Sequence, residues 1–289
     1  MHGSRDQQLT MATDAQAGTR SEGRVPAPSS AAAGSRTPLL RLAKIGKSFG
    51  AVEALTDIDL EIYAGEVLAL VGDNGAGKST LIKTISGIWS PDQGQEFWDG
   101  QEVHIRHPRD SAALGIATMY QDLALADNLD IVENMFLGRE VVRAGPLDET
   151  AMEISARQTL SDLSVTTVRS IRQPVGSLSG GQRQAVAVAR AVLQDAKLVI
   201  MDEPTAALGV SQTKMVLDLV RSLSDRGVAV LLISHNLNDV FAVADRMAAL
   251  YLGRLAGTAR VADIDTQQAV SLITTGSLTP VAAHAARKD

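Results

Sequence analysis

The chain has 289 residues, 45% of them hydrophobic, with no cysteine, a net charge of −6 and a pI near 5.4. That is enough apolar matter for a real core in one or two domains. It excludes disulfides and any cysteine-built metal site, and an acidic balance with no basic stripe argues against a nucleic-acid binder. The longest apolar runs, VAVLLIS and EVLALVG, are strand-sized and too short for a membrane span. The first residues lack the apolar core of a signal peptide, so we expect a reducing cytoplasmic setting.

Residues 1–38 are rich in Gly, Ala, Ser, Thr and Pro and read as a disordered tail, as do 277–289. Between them, 39–276 reads as one α/β domain without internal repeats. Phe49, in KSFGAVEAL, comes first among the residues of interest. An aromatic there either stacks on a base, worth about 1–3 kcal/mol where such stacking is measured, or belongs to the core.

The run VLALVG, 67–72, is an apolar strand of the kind buried in a parallel sheet. It leads into GDNGAGKST: Gly72, Asp73, Asn74, Gly75, Ala76, Gly77, Lys78, Ser79 and Thr80, followed by a predicted helix from Lys78. Strand, glycine loop and helix in that order are the context a P-loop requires. Its glycines let the backbone wrap phosphates, Lys78 reaches the β- and γ-phosphates, and the Ser79 hydroxyl suits Mg²⁺.

GIATMYQ, 115–121, is another apolar strand and ends at Gln121. A glutamine at a strand end either touches Mg²⁺ or an attacking water, or is an ordinary polar loop residue. From about 122 to 180 the strand signals fade and the pattern is helical, as in NLDIVENMFLGRE and DETAMEISARQTLSDL. The simplest arrangement is a parallel-sheet core interrupted by a helical insert.

At the end of the insert stands SLSGGQRQAVAVARAV, 177–192. Ser179, Gly180 and Gly181 read as a short glycine turn opening onto a helix, with Gln182 next. Such a turn is an anion cradle with no lysine or metal acid of its own. One nucleotide does not need two cradles.

KLVIMD, 197–202, then runs into Asp202 and Glu203. Neighbouring strand residues face opposite sides, so one acid is expected toward a Mg²⁺ shell and the other toward a water. Pro204 is expected to hold Glu203 extended. VAVLLIS, 228–234, carries His235 at its end. That histidine either bonds a γ-phosphate or is a satisfied polar neighbour of a helix cap. Further helices are predicted from Ser211 and from Asn236.

In this order, Phe49, the P-loop, Gln121, LSGGQ, VIMDEPT and His235 closely resemble an ABC-transporter ATPase from about Leu39 to Gly276. The resemblance implies a P-loop NTPase core, a RecA-like parallel sheet plus N-terminal antiparallel strands, with a helical signature subdomain. By motif it makes Phe49 the adenine-stacking aromatic and Gln121 the glutamine of the loop that touches Mg²⁺ and water. Asp202 becomes the Mg²⁺ carboxylate beside Ser79, Glu203 the catalytic glutamate and His235 the switch histidine. ATP and Mg²⁺ are the implied cofactors. In this family two ATPase domains meet head to tail, and the LSGGQ of one, here Ser179, Gly180, Gly181 and Gln182, covers the ATP held by the other.

Two stretches, YQDLALADNLDIVENMFLGRE and MDEPTAALGV, further resemble ATPases of ribose-, xylose- and fructose-type importers. Many ribose-type ATPases hold two such domains in one chain; one set of motifs here implies a homodimer. The implied partners are two transmembrane permeases and, indirectly, an extracytoplasmic sugar-binding protein, with no nucleic acid. The implied place is the cytoplasmic face of the inner membrane, peripherally bound.

Where the family usually carries an acid after AL, this chain has Gly209, in a loop expected to cross the dimer interface. Three other readings stand beside sugar import: an importer of another small solute, a non-transport ABC clamp on DNA or ribosomes, and a P-loop phosphotransferase. The acidic charge and the lack of a long coiled-coil insert argue against the clamp, and LSGGQ has no role in the phosphotransferase.

Overall fold

The computed structural model describes residues 36–143 and 145–277; the expected tails at 1–38 and 277–289 lie outside them except for 36–38 and 277. The chain begins with two long strands, β1 (Leu40–Phe49) and β2 (Val52–Ile62), then β3 (Val67–Val71) and helix α1 (Lys78–Ile85). Next come β4 (Gln93–Trp98), β5 (Gln101–Val103), α2 (Pro108–Leu114) and β6 (Ile116–Met119). Helices α3 (Ile131–Phe136), α4 (Glu149–Asp162) and α5 (Gly180–Leu193) follow before β7 (Leu198–Asp202). The rest is α6 (Val210–Asp225), β8 (Ala229–Ile233), α7 (Leu237–Val243), β9 (Arg246–Tyr251), β10 (Arg254–Arg260) and α8 (Thr266–Thr275).

The strands form two sheets. One is antiparallel, in the order β2-β1-β4-β5; the other runs β10-β9-β3-β8-β7-β6 and is parallel except at β10. The continuous apolar sequence of β3 follows from its place, since it is covered on both faces. Val67, Ala69 and Val71 point into a core built with α3 to α8, while Leu68 and Leu70 point into one built with α1 and the antiparallel sheet. The four strands expected from the sequence are all here. So are the expected helices, starting within a residue of Ser211 and Asn236. Sequence reasoning did not find β9, which lies between β3 and β10.

The segment between β6 and β7 is helical, as expected. Buried Asn134 fixes its first turn: its Nδ2 donates to the carbonyls of Ala126, Leu129 and Asp130, and its Oδ1 accepts from the Ala126 N–H. Arg172 pins the loop after α4 back onto it through Asp130, Glu149 and Glu153. Each pair is at least partly solvent-exposed and worth little alone, but together they hold one guanidinium in place.

Candidate functional site

Four neighbouring parallel strands deliver the candidate residues at their carboxyl ends, where open α/β sheets bind ligands. From β3 comes the glycine loop, from β6 Gln121, from β7 Asp202 and Glu203, and from β8 His235. A cleft of about 580 Å³ opens there, lined by Asn74, Gly75, Gly77, Lys78, Ser79, Thr80, Gln121, Asp202 and Glu203. Its size is that of an ordinary small-molecule site. A second depression, of about 400 Å³ between α4 and α6, is lined by exposed and half-buried Asp, Arg and Ser side chains and none of these groups.

Two glycines of the loop have no room for a side chain. At Gly72, φ is 150° and a Cβ would lie 2.4 Å from the Leu250 carbonyl oxygen; at Gly77, φ is 107° and a Cβ would lie 2.9 Å from that of Ala54. Gly77 is also the N-cap of α1, and no side chain caps that end. The first N–H groups of α1 and the positive end of its dipole therefore face the loop, which suits an anion. The Lys78 ammonium folds over the loop and donates to the carbonyls of Gly72 at 2.6 Å and Asp73 at 2.9 Å.

The charges of the cleft are coupled. Burial pulls the Lys78 pKa below its ordinary value, against Glu203, Asp202 and Asp73, which favour its charge. Burial raises Asp202, and the neighbouring Glu203 raises it further, while Lys78 and Lys83 oppose both. Bringing a cation toward Asp202 would relieve that cost.

Glu203 departs from the expected conformation. It is not extended: its φ is 51°, in the left-handed region, despite the following Pro204. The restriction before proline is overcome because the Glu203 N–H donates to the Ile233 carbonyl at 2.9 Å and its own carbonyl accepts from Ala206 at 3.1 Å. Such a conformation costs about 1–3 kcal/mol and persists where the surroundings over-determine it. It breaks the alternation expected of a strand, so Asp202 and Glu203 line the same cleft instead of facing opposite sides. His235 stands outside the lining and contacts Glu203 directly, Nδ1 to Oε2 at 2.8 Å.

For a metal, the cleft offers the Ser79 hydroxyl, the Gln121 amide and the Asp202 carboxylate. Among the described residues no three His, Cys, Asp or Glu side chains cluster to hold an ion alone. Few, hard oxygen donors fit Mg²⁺, which is usually bound through one or two protein oxygens plus a substrate's phosphates.

Two groups of predicted residues lie elsewhere. Phe49 is 42% exposed, so it is not core, and it does not line the cleft. Its ring meets Trp89 edge-on, centroids 4.7 Å apart. The second cradle is also separate. Ser179 is the N-cap of α5, its hydroxyl accepting from the Gln182 N–H at 3.4 Å while Gln182 Oε1 accepts from the Ser179 N–H at 2.9 Å. Gln182 Nε2 donates to the Thr167 carbonyl at 2.6 Å.

Gly180 and Gly181 are not a turn. They begin the helix, and neither has a positive φ. Packing explains them: a Cβ on Gly180 would lie 2.6 Å from Leu208 Cδ2, and one on Gly181 3.0 Å from Met215 Cε. The N-terminus of α5 thus lies close against α6 and the loop before it.

Sequence reasoning missed Val52, Glu53, Ala54, Leu252 and Gly253, which also line the cleft. They come from the start of β2 and the β9–β10 hairpin. The one signal the sequence offers there is the Gly253 that follows Leu252, in the turn between β9 and β10.

Residues 55–206 match the family model described as ABC transporter. The chain is 46% identical over 256 residues to the fructose import ATP-binding protein FrcA of Rhizobium meliloti, covering 86% of this chain and 98% of the relative. It is 45% identical over 240 residues to the xylose/arabinose import ATP-binding protein XylG of Sulfolobus acidocaldarius, covering 83% and 95%. A third relative, the ribose import ATP-binding protein RbsA 2 of Burkholderia cenocepacia, is 41% identical over 236 residues, and the match spans 46% of its length. Among solved structures, the ADP conformation of an ATP-binding cassette of an ABC transporter superposes with a TM-score of 0.72 at 26% identity, over 83% of this chain and 99% of that one. The fold is that of an α/β P-loop NTPase.

Proposed function

The chain belongs to the ABC-transporter ATPase family, and on that premise we propose that it is the ATP-hydrolysing subunit of an importer that energises uptake of a monosaccharide. The observation that carries the reading is the meeting of Lys78, Ser79, Gln121, Asp202 and Glu203 in one cleft while the Ser179 cradle stands apart from it. Residues 39–276 would form the ATPase domain, with the insert at about 122–180.

In this reading the glycine loop and Lys78 bind the β- and γ-phosphates of ATP, and Phe49 meets the adenine. Ser79, Asp202 and Gln121 would hold Mg²⁺, which supplies charge neutralisation to the phosphates. Glu203 accepts a hydrogen bond from the attacking water and orients it in line. His235 holds Glu203 and reaches toward the γ-phosphate. Lys78, preorganised over the loop, offsets the charge that develops as the terminal phosphoryl group leaves.

The Ser179, Gly180, Gly181 and Gln182 cradle would serve the ATP of a second copy, so the working unit is a homodimer with two composite sites. Val210, which opens α6 beside Gly209, is 91% exposed, an apolar side chain suited to such a contact. Among the described residues no helix is long and apolar enough to cross a membrane. The subunit would sit at the cytoplasmic face of the inner membrane on two permease subunits, which would take sugar from an extracytoplasmic binding protein.

The test is co-expression with permease chains encoded in the same genome. We expect two hydrophobic chains to copurify, and ATP hydrolysis in the reconstituted complex to rise with sugar-loaded binding protein. Hydrolysis indifferent to every monosaccharide, but stimulated by another solute, would overturn the sugar assignment.

A further inference from the structure

The ring of Phe49 stands at the tip of the first hairpin. Phe49 ends β1 and pairs in register with Val52 of β2, and Val52, Glu53 and Ala54 line the phosphate cleft. Paired residues carry their side chains on the same face of a sheet, so the ring lies one cross-strand step from the cleft wall. An exposed aromatic at a hairpin tip turns about its side-chain torsions unless something holds it.

Trp89 holds it. The half-buried indole meets the Phe49 ring edge-on, centroids 4.7 Å apart and planes at 67°, a favoured arrangement for an aromatic pair. The indole is itself fixed at the end of α1. The N–H groups of Ile88 and Trp89 both donate to the Lys83 carbonyl, at 2.9 and 3.1 Å, and the Lys83 ammonium lies 4.6 Å from the indole centroid. Further along the same loop, Asp92 fastens it to β1. The Asp92 N–H donates to the Gly46 carbonyl at 2.9 Å, and its carboxylate accepts from the Ser48 N–H and the Lys47 ammonium, each at 2.7 Å.

No phosphate chemistry calls for an indole here. Trp89 lies outside the cleft lining, and Asp92 already ties the loop down. Its edge is spent on the Phe49 ring. Lys78 opens α1 and Trp89 hangs from the far end of that helix, so one rigid element carries both the phosphate grip and the support of the ring.

We propose that Trp89 is a positioning residue for the base of the nucleotide: it holds the Phe49 ring ready at the mouth of the cleft, at a distance from the phosphate loop that α1 sets. A ring already held gives up little rotamer freedom when a base stacks on it, so the base binds more tightly than it would to a free ring. Stacking is indifferent to which base is bound, because every base has a π-face. The support therefore adds affinity for purine nucleotides without selecting between them. The inference rests on the nucleotide-binding reading above, in which Phe49 meets the adenine.

The full chain carrying Glu203→Gln, which should hold ATP without consuming it, is titrated calorimetrically with ATP, GTP and inorganic tripolyphosphate, each with Mg²⁺. Tripolyphosphate has the phosphates and no base. Phe49→Ala should weaken ATP about fivefold or more, the scale of a lost stacking contact. Trp89→Leu should weaken ATP and GTP alike by about three- to tenfold and leave tripolyphosphate within about twofold. Trp89→Phe, which keeps an aromatic edge, should recover most of the loss. With Phe49→Ala already in place, Trp89→Leu should weaken ATP no further, since no ring remains to be held. Unchanged ATP affinity in Trp89→Leu overturns the proposal. So does an equal loss for ATP and tripolyphosphate, which would make Trp89 a prop for the phosphate loop, and so does a double-variant loss that adds to that of Phe49→Ala. If Trp89→Leu does not fold, Trp89→Met decides by the same criteria. A Phe49→Ala chain that binds ATP as tightly as its parent would remove the stacking role of Phe49 and this inference with it, whereas a parent that binds neither nucleotide would overturn the nucleotide reading itself.

Discussion

His235 Nδ1 lies 2.8 Å from Glu203 Oε2, so the ends of two adjacent strands, β8 and β7, meet through their side chains as well as through the Glu203 N–H and the Ile233 carbonyl. The imidazole fixes the direction in which the carboxylate points. Removing it should leave ATP binding intact and uncouple the carboxylate from the water. We expect His235→Ala to lose about 10²-fold or more in kcat, the usual scale for a positioned polar group. Steady-state hydrolysis beside equilibrium nucleotide binding checks this; a normal kcat would mean that the contact is ornamental.

Glu203 and Lys78 should fail differently. Glu203→Gln keeps the shape and loses the base, so binding persists while hydrolysis falls about 10²–10⁴-fold. Lys78→Ala removes the ammonium that covers the loop and should instead weaken nucleotide affinity. Wild-type hydrolysis in Glu203→Gln would reject the assignment of the acid pair.

Complementation tests whether the cradle acts across chains. Lys78→Ala and Ser179→Arg should each be inactive alone. Ser179→Arg also removes the cap of α5, a loss of about 1 kcal/mol. In a random mixture half the dimers are mixed, and each mixed dimer has one intact site. Activity should return to at most about a quarter of wild type if the sites are independent. Gly209 offers no side chain to hold one site's state against the other's, which favours independence. No recovery, together with an ATP-dependent dimer of the Glu203→Gln chain, would mean that the sites fire together.

Gly181 is buried against α6, where an added Cβ would also lie 3.2 Å from Gln212 Cβ. Gly181→Val should therefore cost about 1–3 kcal/mol through overpacking. For a domain of this size that is a fall in Tm of roughly 2–4 °C per kcal/mol. Thermal unfolding followed by circular dichroism reads it directly. An unchanged Tm would show that Met215 and Gln212 can move aside freely.

Glu96 carries a pH dependence unrelated to the cleft. Its side chain is buried on β4, Oε2 accepting from the Ile105 N–H at 3.0 Å and Oε1 without a partner among the described residues, and burial pushes its pKa up from 4.5 to about 7. Between those values the folded state binds the proton that the unfolded chain has released. Stability therefore falls as pH rises through that window and levels off above it. Glu96→Gln keeps the acceptor and cannot ionise. Its stability relative to wild type should rise by a few kcal/mol between pH 5 and pH 8; a difference that does not vary with pH would contradict the assignment.

The chemistry-bearing residues were legible because each follows an apolar strand long enough to recognise, and strand ends converge. Local rules did worse where tertiary partners decide. Met247, Ala248, Ala249 and Leu250 of β9 are good helix formers, and they are a strand because β3 and β10 pair with them. Pro204 argued for an extended Glu203, and two backbone hydrogen bonds overrule it. Gly180 and Gly181 suggested a turn, because a sequence cannot show that the neighbours across the gap are Leu208 and Met215. Phe49 was read as base-stacking or core; its contact with Trp89 depends on a loop forty residues later.

The order of the strands across the large sheet differs from the order in which the ribosome makes them. β3, which carries the phosphate loop, takes its two neighbours from β8 and β9, and β6 has only β7 beside it. Pairing β6 with β7 closes a loop from Met119 to Leu198, a non-local step that slows folding. An emerging chain therefore holds every residue of the loop and its lysine long before it holds the sheet that shapes them. Until residues 229–251 have left the exit tunnel, VLALV is a bare apolar strand with both edges open, a site for chaperones or for misassembly. Nucleotide capture thus becomes a late event in synthesis, and a nascent chain stalled before Ala229 would have the motif without the site.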